Sequence, residues 1–95
     1  MSAIADPARE AWVAHATLQR TPTGWRTVVA ETPEKITHGR LLLALPSDPL
    51  DLAAAEFERT LRTVWGVERP VSWRETERGW WLAELGPGPL VVRMA

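Results

Sequence analysis

The side chains that could act as acids, bases or metal ligands are few and widely spaced in this chain. The histidines are His15 and His38, and neither has an acidic or histidine partner at the short spacing typical of a metal site. The chain has no cysteine, which excludes a thiolate nucleophile and the cysteine type of zinc site. We therefore predict no metal site and no catalytic histidine. If the first hairpin has a three-residue loop, His15 would face Glu31 as a surface pair.

One pair of carboxylates remains as a candidate for acid–base chemistry. Glu75 and Glu77 stand two residues apart, which predicts that they share one face of a strand beside a turn. Paired carboxylates transfer protons when burial separates their pKa values, whereas carboxylates at a hairpin tip usually just face solvent. The serines at 2, 47 and 72 lie outside any Gly-x-Ser-x-Gly turn, and the Gly-Pro-Gly-Pro stretch at 86–89 lacks the N–H donors that hold a phosphate. We predict a protein that is not an enzyme and that binds no cofactor.

Tryptophan and arginine give the sequence its strongest potential for binding. Six tryptophans occur in 95 residues, at positions 12, 25, 65, 73, 80 and 81. Each buried tryptophan removes roughly 150–250 Å² from water, so most of them are expected in the core. Trp80 and Trp81 are neighbours, however, and neighbours in a strand point to opposite faces. One of the two is therefore expected outside the main core.

The elements that must position these residues are organised around residues 40–65. The apolar run at 41–45 is short and ends at a proline, which predicts a strand covered on both faces in the middle of a sheet. Asp48 then has the side chain of a helix cap, and Pro49 suits the first helical position. Apolar residues recur at three- and four-residue spacings as far as Trp65, and Gly66 suits a left-handed C-cap. These patterns predict a helix at about 49–65 with one face against the sheet.

A hairpin is predicted on each side of this unit. Residues 12–18 alternate in polarity, the turn Thr-Pro-Thr-Gly follows at 21–24, and residues 25–31 return as a strand; a helix from residue 7 to about 19 is the alternative for the first segment. Residues 71–76 and 80–85 flank a three-residue loop at 77–79 that contains a glycine.

The register of the second hairpin assigns its side chains to two faces. The face expected to meet the helix carries Val71, Trp73, Trp81, Ala83 and Leu85. The other face carries Ser72, Arg74, Thr76, Trp80, Leu82 and Glu84. A tryptophan and a leucine are thus expected on an otherwise polar face.

Together these elements predict an α+β fold, a two-layer sandwich. The antiparallel sheet has the element order β-β-β-α-β-β-β, and one amphipathic helix at about 49–65 packs on one face. Residues 90–94 form the last short strand or an apolar tail. The chain is a single small domain at 1–95, with residues 1–10 as a loose or partly helical N-terminal arm.

Composition excludes some partners and suggests a setting. The formal net charge is −1 and neither half of the chain carries the basic excess that duplex DNA binding requires. The first residues do not resemble a signal peptide, and no apolar run is long enough to span a membrane, so we expect a cytoplasmic protein with no membrane partner. Ten arginines against one lysine suggest a bacterial or phage origin.

The functional hypothesis that follows is a protein–protein interaction module, either a homodimer or an adaptor. Its interaction surface is expected to include Trp80, Leu82, Arg74, Arg78, Trp25 and Arg26. Tryptophan and arginine are enriched at interface hot spots, and a second copy is the commonest partner for such a patch. An open edge strand, either 12–18 or 90–94, would add contacts by strand addition.

Two alternatives remain open. Single-stranded nucleic acid could stack on Trp25 and Trp80 near the arginines at 20, 26, 74 and 78, although the net charge disfavours this partner. A small ligand could bind in a pocket between helix and sheet lined by Trp65 and Trp73.

Overall fold

The computed structural model describes residues 11–90 of the chain, which form an antiparallel sheet and a helix. The elements in chain order are β1 (Val13–Thr21), β2 (Gly24–Thr32), β3 (Lys35–Arg40), α1 (Leu50–Trp65), β4 (Arg74–Glu77) and β5 (Trp80–Pro87). The strand order in the sheet is β3-β2-β1-β5-β4, so β1 lies in the centre. The predicted α+β class is confirmed. The predicted N-terminal arm lies outside the described residues.

The first hairpin forms as its alternating pattern predicts. Pro22 and Thr23 make the turn between the paired residues Thr21 and Gly24. Every second residue of β1 from Ala14 to Leu18 is buried, and the residues between them are less buried. The alternative helix over 7–19 is therefore wrong for the part that lies in β1.

The helix buries the face that was predicted to be buried and ends at the predicted C-cap, but its N-cap differs from the prediction. α1 buries Ala53, Ala54, Phe57, Leu61 and Trp65. These side chains belong to the same buried cluster as Ala14, Ala16, Leu18, Trp25, Val29, Val67 and Leu85. Gly66 ends the helix with a φ of 68°, the left-handed conformation that glycine adopts most easily.

The prediction of a central strand at 41–45 is wrong. These residues form a loop between β3 and α1, and the third strand comes earlier, at β3, over residues for which no strand was predicted. β3 contains one large aliphatic residue, Ile36, so it carries no period-two apolar pattern that would predict a strand. It forms because β2 offers it an antiparallel edge, with register from Thr32–Lys35 to Arg26–Arg40. Its polar, charged character is typical of an edge strand.

The second hairpin keeps only part of its predicted register, because β4 begins at Arg74 and residues 71–73, which were predicted as strand, are not in one. Arg74 pairs with Leu82 and Glu75 with Trp81, as expected. A bulge then shifts the pairing, so Trp80 lies opposite Glu77 instead of Thr76, and the turn shortens to Arg78 and Gly79. Gly79 has a φ of 83°, as the predicted left-handed position requires.

The sheet edges differ from the predicted ones. Residues 12–18 were expected as a possible edge, but β1 is hydrogen-bonded to β2 and to β5. The two edges are β3 and β4. Within the predicted strand at 90–94, Leu90 is not in a strand, and residues 91–94 lie outside the described part of the chain.

Candidate functional site

The sheet has one face that carries the buried cluster and a second face, here called the open face. Directly paired residues share a face, so the registers of all five strands define it. It consists of His15, Thr17, Gln19, Arg26, Val28, Ala30, Ile36, His38, Arg40, Arg74, Glu77, Trp80, Leu82 and Glu84. Within this set, Ala30 is buried and the other residues are half-buried or exposed.

Four of the predicted surface residues lie on the open face. Trp80 has 36% of its surface exposed, Leu82 is half-buried, and Arg74 and Arg26 are exposed. Arg78 is also exposed, in the β4–β5 turn beside this face. The structure therefore brings together the tryptophan, leucine and arginine side chains that the sequence assigned to one surface. Pro70, Ser72 and Glu84 complete a depression of about 260 Å³ around Arg74 and Leu82.

Trp25 is the exception, because it is fully buried on the opposite face of the sheet. Its ring lies 5.5 Å from that of Trp81, and the guanidinium carbon of Arg20 lies 4.3 Å from its ring centroid. Its Nε1 donates a hydrogen bond to the carbonyl of Leu45 at 2.8 Å. The prediction of Trp25 as a surface residue is wrong, because Trp25 alternates with Arg26 along β2 and takes the core side.

A second candidate surface, which sequence reasoning missed, is the loop at residues 41–48, here called the leucine loop. Leu42, Leu43 and Leu45 have 90%, 73% and 60% of their surfaces exposed. Leu52, in the first turn of α1, is 57% exposed. Contiguous apolar side chains on a surface mark sites of protein or ligand binding. The loop therefore offers apolar side chains to solvent where the sequence predicted the middle of the sheet.

Glu56 explains why these leucines stay outside. Its carboxylate accepts hydrogen bonds from the backbone N–H groups of Leu42, Leu43 and Ala44, at 2.9 to 3.3 Å. A charged acceptor for successive N–H groups replaces the partner strand that this run would otherwise need. Because the backbone turns inward to a helix side chain, the leucine side chains turn outward.

The C-terminal half of the loop is held in the same way. Asp48 Oδ2 accepts a hydrogen bond from the N–H of Leu45 at 2.7 Å. Asp48 was predicted to cap the helix, but Pro49 occupies the cap position and α1 has no side-chain cap hydrogen bond. Arg20 Nη1 donates to the carbonyls of Pro46 and Asp48, at 2.5 and 2.7 Å. Beyond Leu41, whose N–H donates to the carbonyl of Trp25, side chains of β1, α1 and the loop itself thus fix the loop.

A groove of about 230 Å³ separates the leucine loop from the exposed side of α1. Leu43 and Ala44 line it from the loop, and Leu52, Ala55 and Arg59 line it from the helix, together with Asp48 and Glu56. Among the described residues no carboxylate forms an ion pair with Arg59, whereas the two carboxylates of the groove accept backbone N–H groups. The groove therefore combines apolar walls with an unpaired cation.

The sequence did contain a signal against a strand at 41–45. The run is built from leucine and alanine and has none of the β-branched or aromatic residues that favour strands. The acceptor that stabilises the loop, Glu56, lies 12 to 14 residues further along the chain. No local pattern links it to the loop, so the hydrogen bonds could not be predicted.

Glu31 is a buried carboxylate that the sequence did not single out as functional. It is 1% exposed and sits at an irregularity between β2 and β3. Burial raises the pKa of Glu31. The hydrogen bond from Thr37, the nearby Trp65 indole and the Lys35 ammonium together lower the pKa by more than burial raises it, so the net shift is downward. Thr37 Oγ1 donates to Oε2 at 2.5 Å, and Lys35 Nζ lies 3.8 Å from Oε1. Trp65 Nε1 is buried without a partner that meets hydrogen-bond geometry.

The geometry gives no support to the candidates for acid–base chemistry. His15 lies opposite Ala30, not Glu31, and its Nδ1 is 3.0 Å from the carbonyl of Val13. Glu75 and Glu77 were expected on one face, but the bulge places them opposite the neighbours Trp81 and Trp80. They therefore point to different faces.

Metal and ligand sites receive no support either. Among residues 11–90 no group of three or more histidine, aspartate or glutamate side chains is placed to hold a metal ion. Trp65 and Trp73 were expected to line one ligand pocket, but they line two separate depressions, of about 160 and 380 Å³. Trp73 stacks on Phe57 and donates from Nε1 to Glu58, which fixes it against the helix.

Comparison with known proteins adds nothing to this geometry. No family model, no curated protein and no solved structure matches the chain. In the described part of the chain, no helix is long and apolar enough to cross a membrane.

Proposed function

We propose that this protein is a non-catalytic protein–protein interaction module, a homodimer or an adaptor. The observation that carries the proposal is the leucine loop, which presents Leu42, Leu43 and Leu45 to solvent on a backbone held by Glu56 and Asp48. A loop that is ordered before it binds loses little conformational entropy on docking. Docking of these exposed leucines in an apolar pocket of another protein would remove apolar surface from water.

Charge around the loop specifies the kind of partner it fits. Arg59 lies in the groove beside Leu43 and Leu52 and has no acidic partner among the described residues. The partner is therefore expected to have an apolar groove with one acidic residue placed to meet Arg59, away from Asp48 and Glu56. A cytoplasmic location and a bacterial or phage origin belong to the same proposal and rest on composition.

The geometry favours a protein partner over single-stranded nucleic acid. Of the two rings expected to stack bases, Trp25 is buried and only Trp80 lies on the open face. Arg20 also points to the core side, where it holds the leucine loop. Glu77 and Glu84 share the open face with its arginines and would repel a phosphate backbone.

The test compares three baits in quantitative affinity capture from extract of the cells that express the protein. The double variant Leu42→Ser/Leu43→Ser removes the two most exposed leucines. Arg62→Ser is the control, because Arg62 is an exposed residue of α1 that lies outside both the leucine loop and the open face. We expect one or more proteins to be captured by the wild type and by the control, and to fall at least tenfold with the double variant. Binary binding of the purified proteins then confirms the contact.

A loss of capture by the double variant is informative only if the double variant folds as stably as the wild type. Because the two leucines lie mostly in solvent, the free energy of unfolding should change by less than about 0.5 kcal/mol. The proposal is contradicted if all three baits, each with wild-type stability, capture the same proteins in the same amounts.

A further inference from the structure

On the open face, the side chains on one side of the central strand β1 are complementary to the side chains on its other side. In the row nearest the β1–β2 turn, neighbouring strands carry Arg40, Arg26, Gln19, Trp80 and Glu77, in the order β3 to β4. In the next row the same strands carry His38, Val28, Thr17, Leu82 and Arg74. Cations and aliphatic groups on β2 and β3 are therefore matched by an aromatic ring, an aliphatic group and a carboxylate on β5 and β4.

We infer that the open face is covered by a second copy of this chain, with the two-fold axis lying along β1. This inference rests on the proposed function, since it names one partner of the interaction module. Rotation about β1 keeps each row at its own height, exchanges β2 with β5 and exchanges β3 with β4. Val28 of one copy then faces the partner subunit's Leu82, and Arg40 faces the partner subunit's Glu77.

The contacts made by this rotation are of the kinds that stabilise interfaces. Val28 and Leu82 are half-buried aliphatic side chains, so their contact removes apolar surface from water at the middle of the face. Arg26 meets the partner subunit's Trp80, whose ring is 36% exposed and can accept a cation on its face. Arg40 and Glu77 are exposed residues of the edge strands, where an ion pair sets orientation more than affinity. Each contact occurs twice because the interface is symmetric.

Two kinds of contact weaken the pairing and limit the expected affinity. In the row of His15, the exposed Glu84 faces the partner subunit's Ala30 and meets no opposite charge. His38 faces the partner subunit's Arg74, and a histidine next to an arginine gains nothing from charge. Gln19 and Thr17 lie on the axis and face their own copies, where both can donate and accept hydrogen bonds. The face is therefore suited to a dimer of moderate affinity.

A dimer of this form leaves the leucine loop free. The loop is held by Arg20 and Trp25, which lie on the core side of the sheet, opposite the open face. Two copies packed through their open faces would thus present two leucine loops on the outer sides. The dimer would bind its partner protein twice, and two linked sites raise the apparent affinity for a partner that is itself multivalent.

Exchange of the charges of the edge strands tests this arrangement. We use light scattering after size exclusion, over a range of concentrations, on the wild type and on the variants Arg40→Glu and Glu77→Arg. The wild type should reach twice the 10.6 kDa mass of the chain. Each single variant places like charges opposite each other at both ends of the interface, which should raise the dissociation constant about tenfold or more. An equimolar mixture of the two single variants should restore the dimer, because every charge then meets its opposite.

Matched controls remove the effect of net charge. Arg62→Glu and Glu68→Arg make the same charge changes at exposed positions in and after α1, away from the open face, and should leave the dimer intact. Restoration in the mixture also excludes misfolding as the cause of dissociation in the single variants.

The outcomes separate this inference from the proposed function. A wild type that stays at 10.6 kDa at all concentrations overturns the dimer and leaves docking through the leucine loop standing. The inference is also overturned if the dimer persists in Arg40→Glu and Glu77→Arg but dissociates in Leu42→Ser/Leu43→Ser, because the leucine loop then forms the interface. A dimer that survives in the leucine variant while partner capture is lost supports both.

Discussion

The leucine loop and the open face both present apolar side chains to solvent, but their backbones are held in different ways. The open face belongs to a hydrogen-bonded sheet, whose strands satisfy each other's N–H and C=O groups. In the leucine loop only the N–H of Leu41 is seen to donate to a strand, and carboxylates of Glu56 and Asp48 accept the N–H groups of residues 42–45. A run of leucines can therefore avoid both the core and the sheet when charged side chains satisfy its backbone.

The comparison also separates apolar side chains that are exposed because of the fold from those that are exposed because specific hydrogen bonds hold their backbone. Within residues 11–90 the one helix contributes to the buried cluster on the core side of the sheet, so in this part of the chain the open face follows from the architecture. The leucine loop is different, because its conformation depends on individual side chains of β1, β2 and α1. Because these side chains hold the leucine loop in a conformation that exposes its leucines, we assign the loop a binding role.

The largest difference should appear when the tryptophan beneath the leucine loop and the tryptophan on the open face are each truncated. Trp25 is fully buried beneath the leucine loop, so Trp25→Ala should lower the free energy of unfolding by about 3–5 kcal/mol. Trp80→Ala on the open face should cost less than about 1 kcal/mol in the dissociated chain. Urea unfolding followed by circular dichroism at low protein concentration measures both values. Equal losses would show that the two regions do not differ in burial as described.

An intermediate effect is expected when the support of the leucine loop is removed. Glu56→Ala eliminates the acceptor for three backbone N–H groups and should lower the free energy of unfolding by about 1.5–3 kcal/mol. Glu68→Ala is the control, since Glu68 is exposed and outside the helix, and should change stability by less than about 0.5 kcal/mol. If both variants unfold at the same urea concentration, the hydrogen bonds of Glu56 do not stabilise the loop.

The smallest effect concerns Glu31, beneath the β2–β3 side of the sheet, and depends on pH. Because the folded-state pKa of Glu31 is lowered, its carboxylate stabilises the fold above its ordinary pKa of 4.5. This stability is lost as the pH falls from that value through the lower folded-state pKa. Glu31→Gln should therefore be less stable than the wild type at neutral pH, and the difference should shrink below pH 4.5. Urea unfolding at a series of pH values gives the two curves, and a difference that grows as pH falls would mean that the shift has the opposite sign.

The parts of the fold that could be predicted have local signals. Alternation predicts β1 and β2, three- and four-residue spacing predicts α1, and glycines mark its end and the second hairpin turn. The same register reasoning places Trp80, Leu82 and Arg74 on one face, because each shares a side with its paired neighbour.

The parts that could not be predicted depend on distant residues. β3 forms through pairing with β2 and lacks an apolar pattern of its own. The apolar pattern at 41–45 predicts a buried strand. The residue that makes a loop possible there is Glu56, 12 to 14 residues further along the chain, whose carboxylate accepts the N–H groups of the loop. The bulge in the second hairpin likewise separates Glu75 from Glu77, which sequence spacing alone put together.

Amide hydrogen exchange at Leu42, Leu43 and Ala44, followed by NMR, tests most directly whether the leucine loop is an ordered binding element. The three amides donate to Glu56, so we predict that they exchange at least tenfold more slowly than unstructured amides in the wild type and lose that protection in Glu56→Ala. Exchange at the unstructured rate in the wild type would contradict the account, because the leucines would then belong to a loose segment with no fixed surface to bind.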